Sequence, residues 1–221
     1  MFRLDPDQVL RSTLLDECGA GWMRHGFGTR HAQDWPGETA TLKQIHSDIV
    51  YAIPGAGCAL QELAQGDALT TAARATPLSI RTADCVPVLL ADPAHHAVAA
   101  IHAGWRGTQL QIVRKAVEAM AEHFGSQPAD LCAAIGPAIG PCCYEVSQDV
   151  AEQFAAYLPE WSGQGKTHLD LVTFNRWQLE SAGVTRVDAI DRCTRCDAEW
   201  FHSFRRDAEQ SGRMHAVIEV L

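Results

Sequence analysis

The sequence TADCVPVLLADPAHHAVAAIHAGWRGT runs from Thr82 to Thr108 and carries the strongest structural signal in the chain. Two apolar, β-prone runs flank the dipeptide Asp92-Pro93, which predicts an antiparallel hairpin with a loop of about four residues. With the turn centred directly after Pro93, Cys85 lies opposite His102. Opposed residues of a hairpin share one face and have Cβ atoms about 4.5–5.5 Å apart. The hairpin therefore predicts a thiol and an imidazole close enough to bind one metal ion.

Cys85 and His102 nevertheless allow two interpretations. Both side chains are typical of a protein core when no ligand is involved, because free cysteine is among the most buried residue types. The second run, however, ends in Ala-Gly-Trp-Arg-Gly directly after His102, which is a small-residue turn into a helix start. Binding and catalytic groups concentrate at such turns, so this ending favours a metal or catalytic site.

A third ligand has to come from the other nine histidines. His95 and His96 lie at the far end of the hairpin and are expected to be solvated turn residues. His46, in LKQIHSDIV, is favoured by elimination, although a lone histidine in a strand is usually only a strand residue. Three Cys/His ligands that leave one coordination position open form a catalytic zinc arrangement.

The hydrophobic periodicity of the whole chain predicts a mixed α and β protein. A helix is expected to follow Gly107, with Thr108 as its N-cap and Gly125 just past its end. The other predicted elements are helices near Val150 to Tyr157 and Val172 to Ala182, and strands at Gln44 to Tyr51, Leu78 to Arg81, Cys85 to Ala91, His96 to His102, Leu131 to Ile135 and Met214 to Val220.

The length of 221 residues and the composition, 47% hydrophobic and 20% charged, predict an ordinary globular protein. The segment Ser162 to Lys166 is too short to separate domains, so residues 1–221 are expected to form one domain. Eighteen Lys and Arg against 27 Asp and Glu give a net charge of −9, which argues against nucleic-acid and membrane partners. The acidic N-terminal segment differs from a signal peptide, and a cytoplasmic location is expected.

Arg106 and the residues after it form a candidate anion site. A guanidinium beside the backbone N–H groups of Gly107 and Thr108, at a helix start, suits phosphate or carboxylate. The alternative is an arginine in a surface turn that pairs with an acidic residue. Arg205 and Arg206 also have two interpretations, surface charge or the lining of a pocket for an anionic ligand.

Eight cysteines in a chain with no secretion signal are expected to be free thiols or metal ligands rather than disulfides. The pair Cys142-Cys143 together with Cys193 and Cys196 would supply four thiols for one metal ion. Adjacent cysteines are poor partners for one tetrahedral ion, however, so packing is the expected role of the first pair. The Gly-Pro loop in Ala133 to Val146 suits a pocket wall or a tight connection.

The motifs KQIHS, GDALTT, RTADCVPVLL, AAIHAGWRGT, AAIGPAIGPCCYEV, DRCT, FHSFRRD and GRM resemble the laccase-domain family of bacterial proteins, the YfiH-like group. This family has an older label, multicopper polyphenol oxidase, and a later assignment as zinc-dependent purine nucleoside phosphorylases with adenosine deaminase activity. The resemblance runs from about Gly26 to Leu221. It departs from the family in HAQDWPGETATLKQIH, which is shorter than the usual Gly-rich segment and bears on how the nucleoside pocket closes.

The resemblance implies a single mixed α/β (α+β) domain with a mixed β-sheet core and packed helices. It also implies a fold related to the deamidase domain of cytotoxic necrotizing factor, and a metal triad of His46, Cys85 and His102. The implied partners are a purine nucleoside and phosphate, and the implied cofactor is zinc. The oligomeric state stays open.

The resulting hypothesis is a zinc enzyme that acts on purine nucleosides. Asp84 and Asp67 are candidate carboxylates for proton transfer, although strand alternation turns Asp84 away from the face of Cys85. Arg106 is expected to hold phosphate. One alternative is a metal-independent cysteine hydrolase or deamidase with Cys85 as nucleophile and His102 as base. Others are a copper-dependent polyphenol oxidase, disfavoured because the chain has no H-x-H pair, and a protein that only binds a partner. A Cys/His site also allows adventitious copper, because copper(II) binds such donors more tightly than zinc does.

Overall fold

The computed structural model describes residues 1–32, 35, 37–53, 62–155 and 167–221, with the side chains of residues 62 and 63 excepted. The segment Ser162 to Lys166, Tyr157 and Cys58 therefore lie outside the described residues, as does part of HAQDWPGETATLKQIH. Within the described residues the chain forms sheets of five, six and two strands with helices packed around them. This is the mixed α/β single domain that the sequence predicted.

A six-stranded sheet forms the middle layer of the domain. Its strands, in sheet order, are β12 (Arg186–Ala189), β11 (Cys132–Ile135), β9 (Val86–Asp92), β10 (Ala97–Ala103), β7 (Ala68–Thr71) and β5 (Val50–Ile53). The two edge strands run parallel to their neighbours, and the inner pairs are antiparallel.

A five-stranded antiparallel sheet packs against one face of this middle layer. Its strands, in sheet order, are β1 (Phe2–Leu4), β2 (Val9–Ser12), β3 (Met23–Gly28), β13 (Met214–Val220) and β8 (Leu78–Thr82). A short parallel pair, β4 (Thr41–Lys43) and β6 (Glu62–Gln65), adjoins it.

The helices are α1 (Thr13–Cys18), α2 (Trp105–Gln109), α3 (Ile112–Phe124), α4 (Gln148–Phe154), α5 (Leu171–Ser181) and α6 (Phe204–Asp207). Two short 3-10 turns lie at Pro128–Asp130 and Ala208–Gln210. Among the described helices, none has the length and apolar character that crossing a bilayer requires.

The predicted helix after Gly107 is confirmed at its end and wrong at its start. Gly125 adopts a left-handed φ of 75° and its N–H caps α3, as expected of a C-terminal glycine. The helical region begins earlier, at Trp105, and is broken at Gln111, whose φ is 61°. Thr108 is consequently inside α2 and is not an N-cap.

Alternate residues of the central hairpin serve two hydrophobic cores. Val88 and Leu90 face the helices α3 and α5, whereas Leu89 and Ala91 face the five-stranded sheet. Because both faces are covered, β9 and β10 are buried at every position, which explains their nearly continuous apolar sequence. The hairpin thus holds the two halves of the domain together.

The hairpin itself is confirmed, but its register differs from the prediction by two residues. The loop has four residues, Pro93 to His96, and His102 pairs with Pro87 rather than with Cys85. The true centre lies one residue further along the chain than an Asp-Pro turn signal suggests. A shift of two preserves the face of every side chain, because side chains alternate with period two. Cys85 and His102 therefore still share a face.

Five of the six predicted strands, including the two of the hairpin, and two predicted helices are confirmed to within one or two residues at their described ends, with Tyr157 outside the comparison. The predicted strand Gln44 to Tyr51 is wrong over most of its length, because residues 44–49 form a loop between β4 and β5. That loop carries His46. Its alternating apolar pattern reflects partly exposed side chains such as Ile45 and Ile49, not a strand face.

The cysteines depart from the expectation of free thiols and packing. Cys18, at the end of α1, forms a disulfide with Cys132 at the start of β11, across 114 residues of sequence. Such a distant pair leaves no spacing signal in the sequence. The thiols of Cys142, Cys143, Cys193 and Cys196 also converge at one place, contrary to the expectation that the adjacent pair only packs.

We predict that His25 makes folding stability sensitive to mild acid. Its ring is 2% exposed and Nε2 accepts a hydrogen bond from the Ser12 N–H at 3.0 Å. Burial, helped by the charges of Arg11 and Arg3, lowers its pKa from 6.5 to about 4. As the pH falls from 6.5 towards 4, His25 is protonated in the unfolded chain but stays neutral in the folded chain. Up to about 3 kcal/mol of stability is therefore lost over this range.

Denaturant unfolding of the wild type and of His25→Gln at pH 7 and pH 4.5 checks this prediction. Glutamine keeps an acceptor for the Ser12 N–H but does not titrate, so the variant should lose less stability than the wild type between the two pH values. Equal losses in the two proteins would contradict it.

Candidate metal centre

His46, Cys85 and His102 meet at one end of the central hairpin. Their ligand atoms all lie within 4.8 Å of one another, and Cys85 Sγ is 3.8 Å from His46 Nε2. Nitrogen and sulfur donors about 2.0–2.3 Å from one tetrahedral ion are about 3.3–3.8 Å apart. The three side chains are therefore close to the arrangement that could hold one metal ion, and they would supply three of its four ligands.

Gly104 makes room for this convergence. Continuing the hairpin register places it opposite Cys85. A Cβ atom at Gly104 would lie 2.8 Å from His46 Cδ2 and 3.1 Å from Cys85 Sγ, closer than side chains normally approach. The glycine of HAGWRG thus keeps the space in which the ligands meet.

The fully buried carboxylate of Asp67 orients two of the three ligands. Oδ1 accepts hydrogen bonds from His102 Nδ1 at 2.8 Å and from the His46 N–H at 3.0 Å. Oδ2 accepts from the N–H and the hydroxyl of Ser47, both at 2.6 Å. Asp67 is therefore a positioning residue that acts through the ligands.

The loop that carries His46 is bent around this carboxylate. His46 adopts a left-handed φ of 60°, which few residues other than glycine favour without support. The hydrogen bonds from its N–H and from Ser47 to Asp67 supply that support. At the other side of the loop, the Gln44 side chain bonds the backbone N–H and carbonyl of Arg81, so both ends of the loop are fixed.

The charges at the centre favour a thiolate and an oriented imidazole. Burial raises the pKa of Cys85, but His102 and His46 outweigh it and lower that pKa to about 6. Burial lowers the pKa of His102, but the Cys85 thiolate and Asp67 raise it to about 9. Burial opposes ionisation of Asp67, whose pKa is nevertheless lowered to about 2 by His102 and Ser47. Nδ1 of His102 donates to Asp67, which leaves Nε2 to face a metal ion.

Asp84 has a structural role. Its carboxylate accepts a hydrogen bond from the Thr194 hydroxyl at 2.6 Å and another from the Arg205 N–H at 2.6 Å. It is 8% exposed, and its positive φ of 93° turns it away from Cys85. Asp84 lies in a bend before β9 and not in a strand, so its carboxylate is directed by its bonds to Thr194 and Arg205 and not by strand alternation.

The predicted anion site after Trp105 is only partly formed. Arg106 is exposed and stacks on the Trp105 ring at 4.3 Å, so its guanidinium is available to a ligand. Thr108 is 1% exposed and its N–H donates to the Gly104 carbonyl, so it does not contact an anion. Gly107 is buried, and a Cβ there would lie 3.0 Å from the Ser47 carbonyl oxygen. Of the three residues, Arg106 is thus the one that can reach a phosphate.

Arg205 and Arg206 have different roles. The Arg206 guanidinium bonds the carbonyls of Thr194 and Phe201 and the side chain of Asp207, which locks it in place. Arg205 bonds the Glu145 carbonyl at 2.8 Å and lies over the Tyr144 ring at 5.0 Å. Arg205 can therefore line the predicted pocket, whereas the Arg206 guanidinium is engaged in bonds within the protein.

Tyr144 is a candidate site residue that the sequence did not single out. Burial raises its pKa to about 12, with further raising by Cys85 and Asp84 and lowering by Arg205 and Arg106. Tyr144 therefore lies under the Arg205 guanidinium and within electrostatic reach of Cys85, Asp84 and Arg106. The one sequence feature that pointed to Tyr144 was its position in the Gly-Pro loop, which was interpreted as a possible pocket wall.

The donor set fits a catalytic zinc ion. Two imidazoles and one thiolate suit zinc, and Asp67 supplies the carboxylate that typically supports a metal-bound histidine. His46 is exposed, whereas His102 is buried, so the open position faces solvent. Copper binds the same kinds of donor, and the geometry alone does not choose between the two metals.

The fold and the site define a mixed α/β protein with a candidate Cys/His metal centre. The chain belongs to the family described as multi-copper polyphenol oxidoreductase laccase, which matches residues 29–221. The resemblance to the YfiH-like laccase-domain group is thereby confirmed.

Similar proteins carry a different description from that of the family. A protein named purine nucleoside phosphorylase from Deinococcus radiodurans is 47% identical over 184 residues, which cover 81% of this chain and 69% of the relative. One of the same name from Clostridium acetobutylicum is 36% identical over 196 residues, covering 86% and 80%. The purine nucleoside phosphorylase YfiH of Escherichia coli is 34% identical over 195 residues, covering 86% and 77%.

Solved structures confirm the fold. A crystal structure of the hypothetical protein YfiH from Bacillus licheniformis has a TM-score of 0.87 and 28% identity, covering 100% of this chain and 99% of that one. YlmD from Geobacillus stearothermophilus has a TM-score of 0.84 and 28% identity, covering 99% and 98%. The relation to the deamidase domain of cytotoxic necrotizing factor stays a prediction.

We predict that Asp67→Asn weakens metal binding about tenfold to hundredfold, because the amide does not fix the His102 tautomer or balance the centre's charge. Asp92→Asn is the matched control. Asp92 is equally buried and bonds His95 Nδ1 at 2.8 Å, but it lies at the opposite end of the hairpin. Zinc affinity measured by competition with a chromophoric chelator should fall in the first variant only. Equal affinities in the two variants would contradict the role given to Asp67.

Proposed function

We propose that this chain is a zinc-dependent purine nucleoside phosphorylase that also deaminates adenosine. Relatives that are 34–47% identical to it over the aligned residues carry the phosphorylase name. The observation that carries the proposal is the convergence of His46, Cys85 and His102 at one end of the hairpin. Arg106 follows this end along the chain, and the Arg205 N–H is bonded to Asp84, the residue before Cys85. The substrates would be a purine nucleoside, such as adenosine, inosine or methylthioadenosine, and phosphate. Both are small molecules, so no nucleic-acid or membrane partner belongs to the proposal.

Arg106 and Arg205 are the residues proposed to bind phosphate. In phosphorolysis a phosphate oxygen forms a bond to C1′ of the ribose while the bond from C1′ to the base breaks. The products are the free base, which takes up a proton, and ribose 1-phosphate. Two guanidinium groups bind the phosphate dianion and stabilise the charge that moves onto the reacting atoms. The acidic chain would thus present one small positive pocket.

Tyr144 is proposed to contact the nucleoside. A raised pKa keeps its hydroxyl protonated at neutral pH, so it serves as a hydrogen-bond donor. The Arg205 guanidinium over its ring limits the freedom of both side chains. Phosphate and nucleoside would then be bound by neighbouring groups.

His46, Cys85 and His102 would hold the zinc ion, and Asp67 would keep His102 in the tautomer that binds it. When bound, the metal supplies Lewis acidity at the open position between these ligands. Asp84, which faces Thr194 and Arg205, is left out of the proposed proton transfer. The deaminase activity, the cytoplasmic location and the span 1–221 as one domain are part of the same proposal.

A metal-independent cysteine hydrolase is the second candidate, and one observation favours it. Cys85 and His102 carry the shifted pKa values of a thiolate and an imidazolium, and Asp67 orients the imidazole. These are the parts of a cysteine nucleophile with its base and orienting group. The same three residues therefore serve two mechanisms, which differ in their need for metal.

A copper-dependent polyphenol oxidase has less support than either. Multicopper chemistry needs several imidazole-rich copper sites. Among the described residues, the clusters of metal-binding side chains are the two-histidine centre and the four cysteines. Copper at the first cluster would be adventitious.

The proposal predicts that the purified chain with zinc converts inosine and phosphate into hypoxanthine and ribose 1-phosphate, and adenosine into inosine without phosphate. Chromatography with adenosine, inosine and methylthioadenosine, with and without phosphate, measures both activities. Chelation should abolish them and added zinc should restore them, while Cys85→Ala should be inactive throughout. Activity on an amide or ester substrate that survives chelation and is lost on thiol alkylation would favour the hydrolase. No product from any nucleoside would overturn the proposal.

Arg106→Ala should raise the KM for phosphate about tenfold to hundredfold, because a hydrogen bond to a charged group contributes about 1.5–3 kcal/mol. Deamination of adenosine does not use phosphate and should change little. Arg114→Ala is the matched control, since Arg114 is an exposed arginine on α3 that pairs with Glu118. Steady-state kinetics of both reactions separate these effects. A similar KM in the two variants would show that Arg106 does not bind phosphate.

A further inference from the structure

Four cysteine thiols that the proposed function does not use converge on one side of the domain. They belong to Cys142, Cys143, Cys193 and Cys196, and all four Sγ atoms lie within 4.8 Å of one another. Cys196 Sγ is 3.3 Å from Cys143 Sγ and 3.6 Å from Cys142 Sγ. The two pairs are about 50 residues apart in sequence, so their meeting is a product of the fold.

These distances match the size of a tetrathiolate metal site. Four sulfur atoms about 2.3 Å from one tetrahedral zinc ion lie about 3.8 Å from each other. Two of the observed spacings, 3.3 and 3.6 Å, are slightly shorter than that value, and all four sulfur atoms lie within 4.8 Å of one another. The geometry also differs from that of the bonded pair Cys18 and Cys132, because each of the four thiols approaches several partners instead of one.

A tight turn explains how two adjacent cysteines share one site. The N–H groups of Cys143 and Tyr144 both donate to the Gly140 carbonyl at 3.0 Å. In an extended strand, neighbouring side chains point to opposite faces, which is why the pair looked unsuitable from the sequence. In this turn both thiols lie on the same side. Gly140 eases the close approach of the second pair, because a Cβ there would be 3.3 Å from Cys193 Cβ, a tight contact.

The second pair has the spacing and the backbone of a metal-binding knuckle. Cys193 and Cys196 are separated by two residues, the spacing common in zinc sites. The Gly140 N–H donates to Cys193 Sγ at 3.2 Å. Hydrogen bonds of this kind stabilise thiolate, the form that binds metal.

Neighbouring contacts join the two cysteine segments before any metal binds. Cys193 forms a β-bridge with Ala138, and the Thr194 N–H donates to the Ala138 carbonyl at 3.0 Å. The Arg206 guanidinium holds the carbonyls of Thr194 and Arg195. Arg195 also lies beside the Cys143 thiol, and its positive charge offsets part of the charge of four thiolates. The site is therefore largely preformed.

We propose that Cys142, Cys143, Cys193 and Cys196 bind one zinc ion as a tetrathiolate site, separate from the His46, Cys85 and His102 centre. All four positions around the ion are filled by protein, so the site is structural. The ion fastens the turn that carries Tyr144 to the segment that carries Thr194. The inference does not depend on the proposed phosphorylase activity.

Zinc counting by mass spectrometry on chains without a histidine tag, purified with a thiol reductant and no chelator, tests the proposal. The wild type should contain two zinc ions per chain. Cys85→Ala and Cys196→Ser should each contain one, and the double variant none. Because each single variant removes a different site, each is the matched control for the other.

Cobalt substitution identifies the ligands. Cobalt added to metal-free Cys85→Ala should give the strong visible bands and the thiolate charge-transfer absorption of a tetrahedral tetrathiolate. Cys196→Ser should lose that spectrum. Cys196→His supplies another zinc ligand and should keep one ion in the Cys85→Ala background. Chelation should lower the thermal midpoint of Cys85→Ala but not that of the double variant.

Two results would contradict the four-cysteine zinc site. A Cys85→Ala chain that folds, binds no zinc and has all four thiols open to alkylation would overturn the proposal. Peptide mapping that finds the four cysteines in disulfides under the same reducing conditions would also overturn it. If Cys196→Ser does not fold, the zinc count and cobalt spectrum of Cys85→Ala decide the question alone.

Discussion

The buried carboxylate of Asp67 is the group on which the metal centre depends. An isolated carboxylate in a protein interior costs several kcal/mol, so its oxygens must receive hydrogen bonds. The available donors are the His102 ring and the backbone and side chain of the loop that carries His46. Satisfying one buried charge therefore draws a loop and a strand end together. Cys85 completes the centre because it lies on the same face of the hairpin as His102.

The sequence was sufficient to predict the hairpin, although the predicted register was two residues off. An error of two residues moves a side chain along a strand but leaves it on the same face, so Cys85 and His102 still share a face although His102 pairs with Pro87. An error of one would have separated them. The buried strands were also predictable, because nearly continuous apolar runs identify a sheet that is covered on both faces.

Features that depend on contacts between distant segments were not predictable from spacing. The disulfide of Cys18 and Cys132 spans 114 residues. The four-cysteine cluster likewise joins two pairs that are distant in sequence. His46 was placed in a strand because its neighbours alternate, whereas its left-handed backbone depends on Asp67, 21 residues away. Thr108 resembles an N-cap locally, but the fold buries it inside α2.

Asp84 and Cys85 connect the two proposed metal sites through adjacent residues of one chain segment. Cys85 faces the open centre, while the Asp84 carboxylate bonds Thr194, which lies between the two cysteines of the knuckle. The same carboxylate bonds the Arg205 backbone, and Arg205 covers Tyr144, which follows the other cysteine pair. A zinc ion at the four cysteines would thus restrain Thr194 and Tyr144 together. Through them it would fix the position of the arginine proposed to bind phosphate without contacting any substrate.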